Sequence, residues 1–342
     1  MDLTKQNFGI EIEMTGITRE QAAKTIAEFL HTSAYHKGGR YDMYGIKDAT
    51  EREWKIVSDS SITAQRKNGN RTEMANNYYR VEFVSPICTY GDIPVIQEMV
   101  RVLRKQGAFT NRSNGIHIHI GAEKFEAYQL RNLVNIMASK EDMIYKALQV
   151  DRRRESVYCK KVDEKFLSEI NRLKPNTRED LQNIWYEGDD GSDIHYHDSR
   201  YHCLNLHSVF QKNTIEFRAF NSNLHAGKIK AYLQFCLAIT AQAYNQKYAN
   251  PTKTVSENEK YTFRVWLLRL GMIGDEFKTA RTHLLNNLQG NSAWKSPEQA
   301  EAQKERLRAK LEKAKLEENK IYVIDEQEQQ TAPVFSMTMR GM

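Results

Sequence analysis

The sequence predicts an α+β protein built on one β-sheet, with helices on one face of the sheet and a polar site on the other. Three observations lead there. Several short segments alternate apolar and polar residues with period two, the pattern of half-buried strands. Helical patterns lie between these strands and can cover one side of a single sheet. The polar half of each strand repeats the same few residue types: Glu, His, Arg and Asn.

Element by element, "FGIEIEMTG" (8–16) alternates as a strand, and "TREQAAKTIAEFLH" (18–31) reads as an amphipathic helix with Thr18 as N-cap. Residues 35–63 hold Gly-rich turns and short strand-like pieces, among them "WKIVSDSSI" (54–62). "YYRVEFVSPI" (78–87) is a strand stopped at Pro86, and "DIPVIQEMVRVLRKQG" (92–107) a helix closed by Gly107. "NGIHIHIG" (114–121) is the next strand; a long helical region follows to about 150, then charged helical material to about 175. "NIWYEGDDGSDIHYHDSR" (183–200) reads as a polar surface loop, placed to serve as a lid if it flanks a site. Two strands, "YHCLNLHSV" (201–209) and "NTIEFRAF" (213–220), are joined by a turn at "FQKN"; helices are expected over 225–248 and 261–288. The segment 297–320 is helical in propensity but almost wholly charged, with a thin stripe through Leu307, Leu311 and Ala314. From Asp325 to Met342 a flexible tail is expected, ending in "VFSMTMRGM". The organisation expected is a domain over 1–290 and a charged helix with tail over 291–342.

Bulk properties narrow the class. The 342 residues are 27% charged and 40% hydrophobic, which is ample for a real core under a polar surface. A net charge of +6 is too small and too dispersed to point to nucleic acid. The four cysteines form no CxxC pair, which suits reduced thiols and a cytoplasmic protein rather than a disulfide framework. No apolar run is long enough to span a membrane, and the N-terminus lacks signal-peptide shape.

The polar faces carry the chemistry. In the first strand Glu11 and Glu13 lie opposite Phe8, Ile10, Ile12 and Met14. Elsewhere His117 and His119 oppose isoleucines, Glu82 opposes Val81 and Phe83, Glu216 and Arg218 oppose Ile215 and Phe217, and Asn205 shares a face with His207. Any one of these strands is as well explained by a solvated face; the repeat on several strands argues for a shared site. Carboxylates gathered on one surface repel each other, and cations or protonation must offset this. Oxygen ligands with imidazole suit Mg²⁺ or Mn²⁺ better than zinc. Arg218 beside Glu216 suits a phosphate oxygen, so nucleotide phosphates and phosphoryl transfer are the chemistry expected. There is no GxxxxGK[ST] loop and no GxGxxG after a strand, so a P-loop or Rossmann site is excluded.

The ordered set "GIEIE" (9–13), "WKIVSDSSI" (54–62), "VEFVSPI" (81–87), "NGIHIHIG" (114–121), "YHCLNL" (201–206) and "IEFR" (215–218) resembles the amidoligase family of the carboxylate–amine ligases, distant relatives of glutamine synthetase and glutamate–cysteine ligase. The resemblance implies a curved, mainly antiparallel sheet that binds ATP and two or more divalent ions (Mg²⁺ or Mn²⁺) on its concave face. It implies an amide bond formed through an acyl phosphate. Carried over, Glu11, Glu13, Glu82, His117 and Glu216 are metal ligands, and His119 and Arg218 contact the ATP phosphates. Asp59, His119 and Arg218 are the catalytic candidates; Asp59, Asn205 and Arg200 are assigned to substrate. Small-molecule or peptide acids and amines are the partners implied; a protein substrate and a homo-oligomer stay open. No counterpart of a separate amine-substrate domain is visible. Two alternatives remain at this level: a cupin-like single-metal enzyme, because GxHxH with a later Glu is also a cupin pattern, and a catalytically silent binding protein with the same fold.

Overall fold

The computed structural model describes residues 1–330. They fall into two compact units, one of Met1–Gln289 and one that begins at Gly290. In the first, β1 (Phe8–Met14) sits near the centre of an eight-stranded sheet. Its alternation is realised as expected: Phe8, Ile10, Ile12 and Met14 are all buried in the core on the helical side. Burial of each contributes about 1.5–3 kcal/mol.

Around it the chain folds as β2 (Ala34–Gly38), β3 (Met43–Lys47) and β4 (Glu53–Val57), then a separate hairpin of β5 (Gln65–Asn68) and β6 (Arg71–Met74), then β7 (Val81–Val84), β8 (Gly115–Gly121), β9 (Leu204–Asn205) and β10 (Thr214–Asn221). The main sheet has the order β2-β3-β4-β7-β1-β8-β10-β9, and its neighbouring strands pair antiparallel. β10 carries an irregularity between Phe217 and Phe220 where it pairs with β8.

The helices that cover the apolar face follow from their sequences. α1 (Arg19–Phe29) starts at a capping box in which Thr18 and Gln21 satisfy each other's backbone, and it buries Ala22, Ala23, Ile26 and Ala27. α2 (Ile93–Lys105) has proline in its first turn and stops before Gly107, whose φ of +107° is open to glycine at little cost. α3 (Ala127–Leu148) and the later α8 (Ala226–Asn245) pack against each other as the buried backbone of this layer. Between them lie α4 (Arg152–Val157), α5 (Glu164–Leu173), α6 (Arg178–Trp185) and α7 (His207–Lys212).

Three expectations need correction. The segment 201–209 is not a full strand: only Leu204–Asn205 pair with β10, and His207–Lys212 turn into α7, which ends on left-handed Asn213. The expected loop 183–200 begins inside α6, so its irregular part starts at Tyr186. The helical region 261–288 is two helices, α9 (Glu259–Arg269) and α10 (Lys278–Leu285), separated by Gly271 and Gly274 at φ +85° and +81°. β5–β6 was not anticipated.

In the second unit α11 spans Pro297–Gln330, so the expected tail from Asp325 begins as helix. Leu307 and Leu311 are exposed on it. The "VFSMTMRGM" segment lies outside the described residues. The four cysteines are free and buried. Among the described residues no helix is long and apolar enough to cross a membrane.

Candidate functional site

The register of the central strands assembles the polar face. Across β7, β1, β8, β10 and β9, Glu82 pairs with Glu13, Glu11 with His117, His119 with Glu216, and Glu216 with Asn205. Because side chains two apart on a strand share a face, each of these pairs is a contact on the same side of the sheet. Isoleucines 116, 118 and 120 take the opposite side and are fully buried in the core. Antiparallel register thus brings residues as distant in sequence as Glu11 and Glu216 together.

The distances show how close the assembly is. His117 Nδ1 lies 3.1 Å from Glu11 Oε2 and 3.8 Å from Glu216 Oε1. His119 Nε2 lies 3.5 Å from Glu11 Oε1 and 3.9 Å from Glu216 Oε1. Arg218 donates to Glu216 Oε1 at 2.5 Å, and Asn205 Nδ2 donates to the other oxygen at 2.5 Å. Glu13 accepts from the Gly115 backbone N–H at 2.5 Å. Three overlapping triads have ligand-type atoms within 4.8 Å of one another: Glu11–Glu82–His117, Glu11–His119–Glu216 and Glu13–Asp59–Glu82.

Electrostatics divides these acids into two groups. Burial would raise the Glu216 pKa, but Arg218, His119 and His117 outweigh it and hold the carboxyl at about 2. Burial is likewise overcome at Glu11, which His119 and His117 keep well below the usual range. At Glu13 burial and the nearby Asp59 prevail and push the pKa up to about 7. Glu82 is likewise raised well above the usual carboxylate range, through burial and the charges of Glu11, Glu13 and Asp59. His117 is pushed down to about 4, mainly by burial and then by Arg218, so near neutral pH its ring carries no charge and one of its nitrogens keeps a lone pair. At His119 burial is outweighed by Glu216 and Glu11, and the pKa rises.

A divalent cation fits this donor set. The acids whose protons are retained by mutual repulsion are those that a nearby 2+ charge would ionise. The donors are carboxylate oxygens and imidazole, suited to Mg²⁺ or Mn²⁺. A buried acceptor, Asn205 Oδ1, and a buried imidazole nitrogen, His119 Nε2, have no hydrogen-bond partner among the described residues, a cost that a ligand would remove.

The sequence-selected residues do not all arrive at the same place. Glu11, Glu13, Glu82, His117, His119, Glu216, Arg218 and Asn205 are together on the face. Asp59, a catalytic and substrate candidate from sequence, stands with Glu13 and Glu82 in a ligand-type triad, its Oδ1 accepting from Ser61 N–H at 2.6 Å. Both histidines reach Glu11 and Glu216, so the geometry does not separate a metal histidine from a phosphate histidine. Arg200 packs in its own loop, donating to the His195 carbonyl at 3.2 Å, with its guanidinium over the Tyr196 and Tyr201 rings. Arg154 of α4 was missed: it is 4% exposed, and its guanidinium rests on Gly115. The one signal for it is the glycine in "NGIHIH", where a Cβ would stand 2.5 Å from two of its nitrogens.

A groove of about 210 Å³ continues the face past His119, lined by Gly9, Glu11, Ser85, His119, Lys212 and Thr214. The main sheet is a single sheet backed by helices, without the paired sheets of a cupin.

Among solved structures, the chain is similar to a bifunctional glutathione synthetase from Pasteurella multocida, at 11% identity and a TM-score of 0.33. The match covers 82% of this chain and 47% of that one, so the chain spans about half the length of that protein. None of the curated proteins compared by sequence matches. A family model described as "Putative amidoligase enzyme" matches residues 4–240, a span that contains every residue of the face. The chain belongs to this amidoligase family, a family of carboxylate–amine ligases.

Proposed function

We propose that the protein is an ATP- and Mg²⁺-dependent ligase that joins a carboxylate to an amine through an acyl phosphate. The observation that carries this reading is the set of three overlapping triads on one sheet face, two of acids with a histidine and one of acids alone, with buried guanidinium groups beside them. A carboxylate is a poor electrophile. Attack of its oxygen on the γ-phosphorus of ATP, with ADP leaving, converts that oxygen into part of a phosphate leaving group. Attack of the amine nitrogen on the acyl carbon then expels phosphate, and the amine proton passes to a base or to water. Bound divalent ions would neutralise charge on the transferred phosphoryl group.

In this scheme Glu11, His117, His119 and Glu216 form one ligand set, and Glu13, Asp59 and Glu82 the other. Arg218 is clamped by Glu216, which fixes its fork over the face and leaves its remaining donors for a phosphoryl oxygen. An acyl phosphate needs protection from water. Tyr196 in the loop before β9 reaches the turn between β2 and β3, where the Tyr41 and Tyr196 hydroxyls lie 2.9 Å apart. These elements belong to opposite edges of the sheet, which if flat would be about 34 Å apart for seven spacings of ~4.8 Å. That contact supports a curved sheet with the loop as a strap beside Asp59, since Ser58 N–H donates to the Tyr41 carbonyl.

The test uses hydroxylamine as a surrogate amine. With Mg²⁺, ATP and a panel of mono- and dicarboxylic acids, the full chain is expected to form a hydroxamate and ADP in equal amounts, and Glu216→Gln to lose at least ~100-fold of that rate. ADP formation with no hydroxamate for any acid would argue against an acyl phosphate.

A further inference from the structure

Arginine is almost never fully buried unless something neutralises it. Arg218 obeys the rule through Glu216. Arg154 has no such close partner: it is 4% exposed, and although Glu13 lies near enough to feel its charge, no carboxylate of the described residues lies within the 4.0 Å of an ion pair. Among the described residues its guanidinium makes one hydrogen bond, Nη2 to the Arg218 carbonyl at 3.1 Å, and its buried Nε has no partner.

Its position is fixed from two sides. α4 begins at Asp151, whose side chain accepts from Arg153 N–H and whose own N–H donates to the Asn221 side chain at the end of β10. The guanidinium then lies where a side chain at position 115 would stand. Residues 115, 117 and 119 share one face of β8, so the fork belongs to the same face as the histidines. Two further buried donors without acceptors among the described residues, Arg80 Nε and Asn114 Nδ2, belong to residues that lead into β7 and β8. The antiparallel register puts both at the Met14 end of β1, the end away from the groove beside Gly9.

We propose that Arg154 is the free anion-binding arginine of the site, whose fork receives an oxyanion at the Gly115 end of the face. Resting on the ligase reading, the occupant favoured by this placement is the carboxylate of the acid substrate, with the phosphoryl group as the other source of the same chemistry. A planar guanidinium takes either in a two-point contact. The Gly115 position is glycine because a methyl group there would displace the fork.

The test titrates the full chain with ¹³C-acetate and with inorganic phosphate, read by ligand NMR, both without nucleotide and with Mn²⁺ and ADP. Wild type is expected to bind at least one probe, and Arg154→Gln to weaken that binding about tenfold or more. Arg154→Lys should fall between, keeping the charge without the fork. Gly115→Ala should weaken it while retaining the arginine, and this variant decides if Arg154→Gln does not fold, as judged by its melting curve. Acetate dependence assigns the fork to the acid; phosphate dependence alone assigns it to the phosphoryl group. Binding of both probes that is equal in wild type and variants, or absent in all, overturns the proposal and leaves Arg154 as a structural countercharge to Glu13. Because these titrations require no turnover, a failed hydroxamate assay would defeat the ligase reading without touching this result.

Discussion

Glu13→Gln is expected to stabilise the metal-free protein at alkaline pH and to leave it unchanged in acid. Glu13 is 3% exposed, and burial with Asp59 moves its pKa from 4.5 to about 7. A carboxyl whose folded pKa is raised binds its proton more tightly in the native state. Its contribution is therefore fully present below the unfolded pKa and is lost as pH rises through the folded one. The interval of about 2.5 units corresponds to about 3 kcal/mol, an order of magnitude, lost between pH 4.5 and pH 8. The side-chain amide that the substitution introduces keeps an acceptor for the Gly115 N–H and carries no charge. For the unit Met1–Gln289, an unfolding entropy of about 2.1 cal/mol/K per residue gives about 0.6 kcal/mol/K, so the variant should melt about 5 °C higher at pH 8 in EDTA. At pH 4.5 the two should coincide. Melting curves at both pH values, with and without Mg²⁺, make the measurement; with saturating Mg²⁺ at pH 8 the order should reverse, because wild type gains an ion that the variant holds poorly. A variant that melts lower at pH 8 without metal, or gains as much at pH 4.5, would refute the assigned electrostatics.

Other outcomes follow from the scaffold. Arg19→Ala should cost about 2–4 kcal/mol in chemical denaturation, because the buried Arg19 holds Asp42 and the carbonyls of Asn77 and Arg80, tying α1 to both ends of the β2–β7 segment. Thr18→Ala should cost about 1 kcal/mol by the same assay, through loss of the α1 capping box. Tyr196→Phe should leave the melting temperature within about 1 °C but speed limited proteolysis within 186–200, since its hydroxyl contact with Tyr41 is lost.

What was legible in the sequence was what local periodicity encodes. Glu11 and Glu13, His117 and His119, and Glu216 and Arg218 each sit two apart in a strand with apolar partners between, so face and site followed from the alternation. The 204–205 pairing was overestimated because a two-residue strand has no period of its own. His207, which looked like the next polar strand position, instead starts a helix and contacts the Tyr186 hydroxyl. Gly271 and Gly274 marked the break between α9 and α10, but the apolar pattern on either side masked it. Arg154 could not be read from α4, where it is one of three consecutive arginines; only packing on Gly115 distinguishes it. Asp59 reads in the sequence as a catalytic and substrate candidate; that it stands with Glu13 and Glu82 was not legible, because motif membership does not encode which carboxylates it will face.

The most direct measurement is ATP binding to the full chain by calorimetry, with Mg²⁺ and with EDTA, for wild type and a Glu11→Ala/Glu216→Ala double variant. The double variant removes both carboxylates that approach His117 and His119. ATP binding is expected to require Mg²⁺ in wild type and to be lost in the folded double variant. Equal binding with EDTA, or binding retained in the double variant, would contradict a nucleotide site organised by these acids.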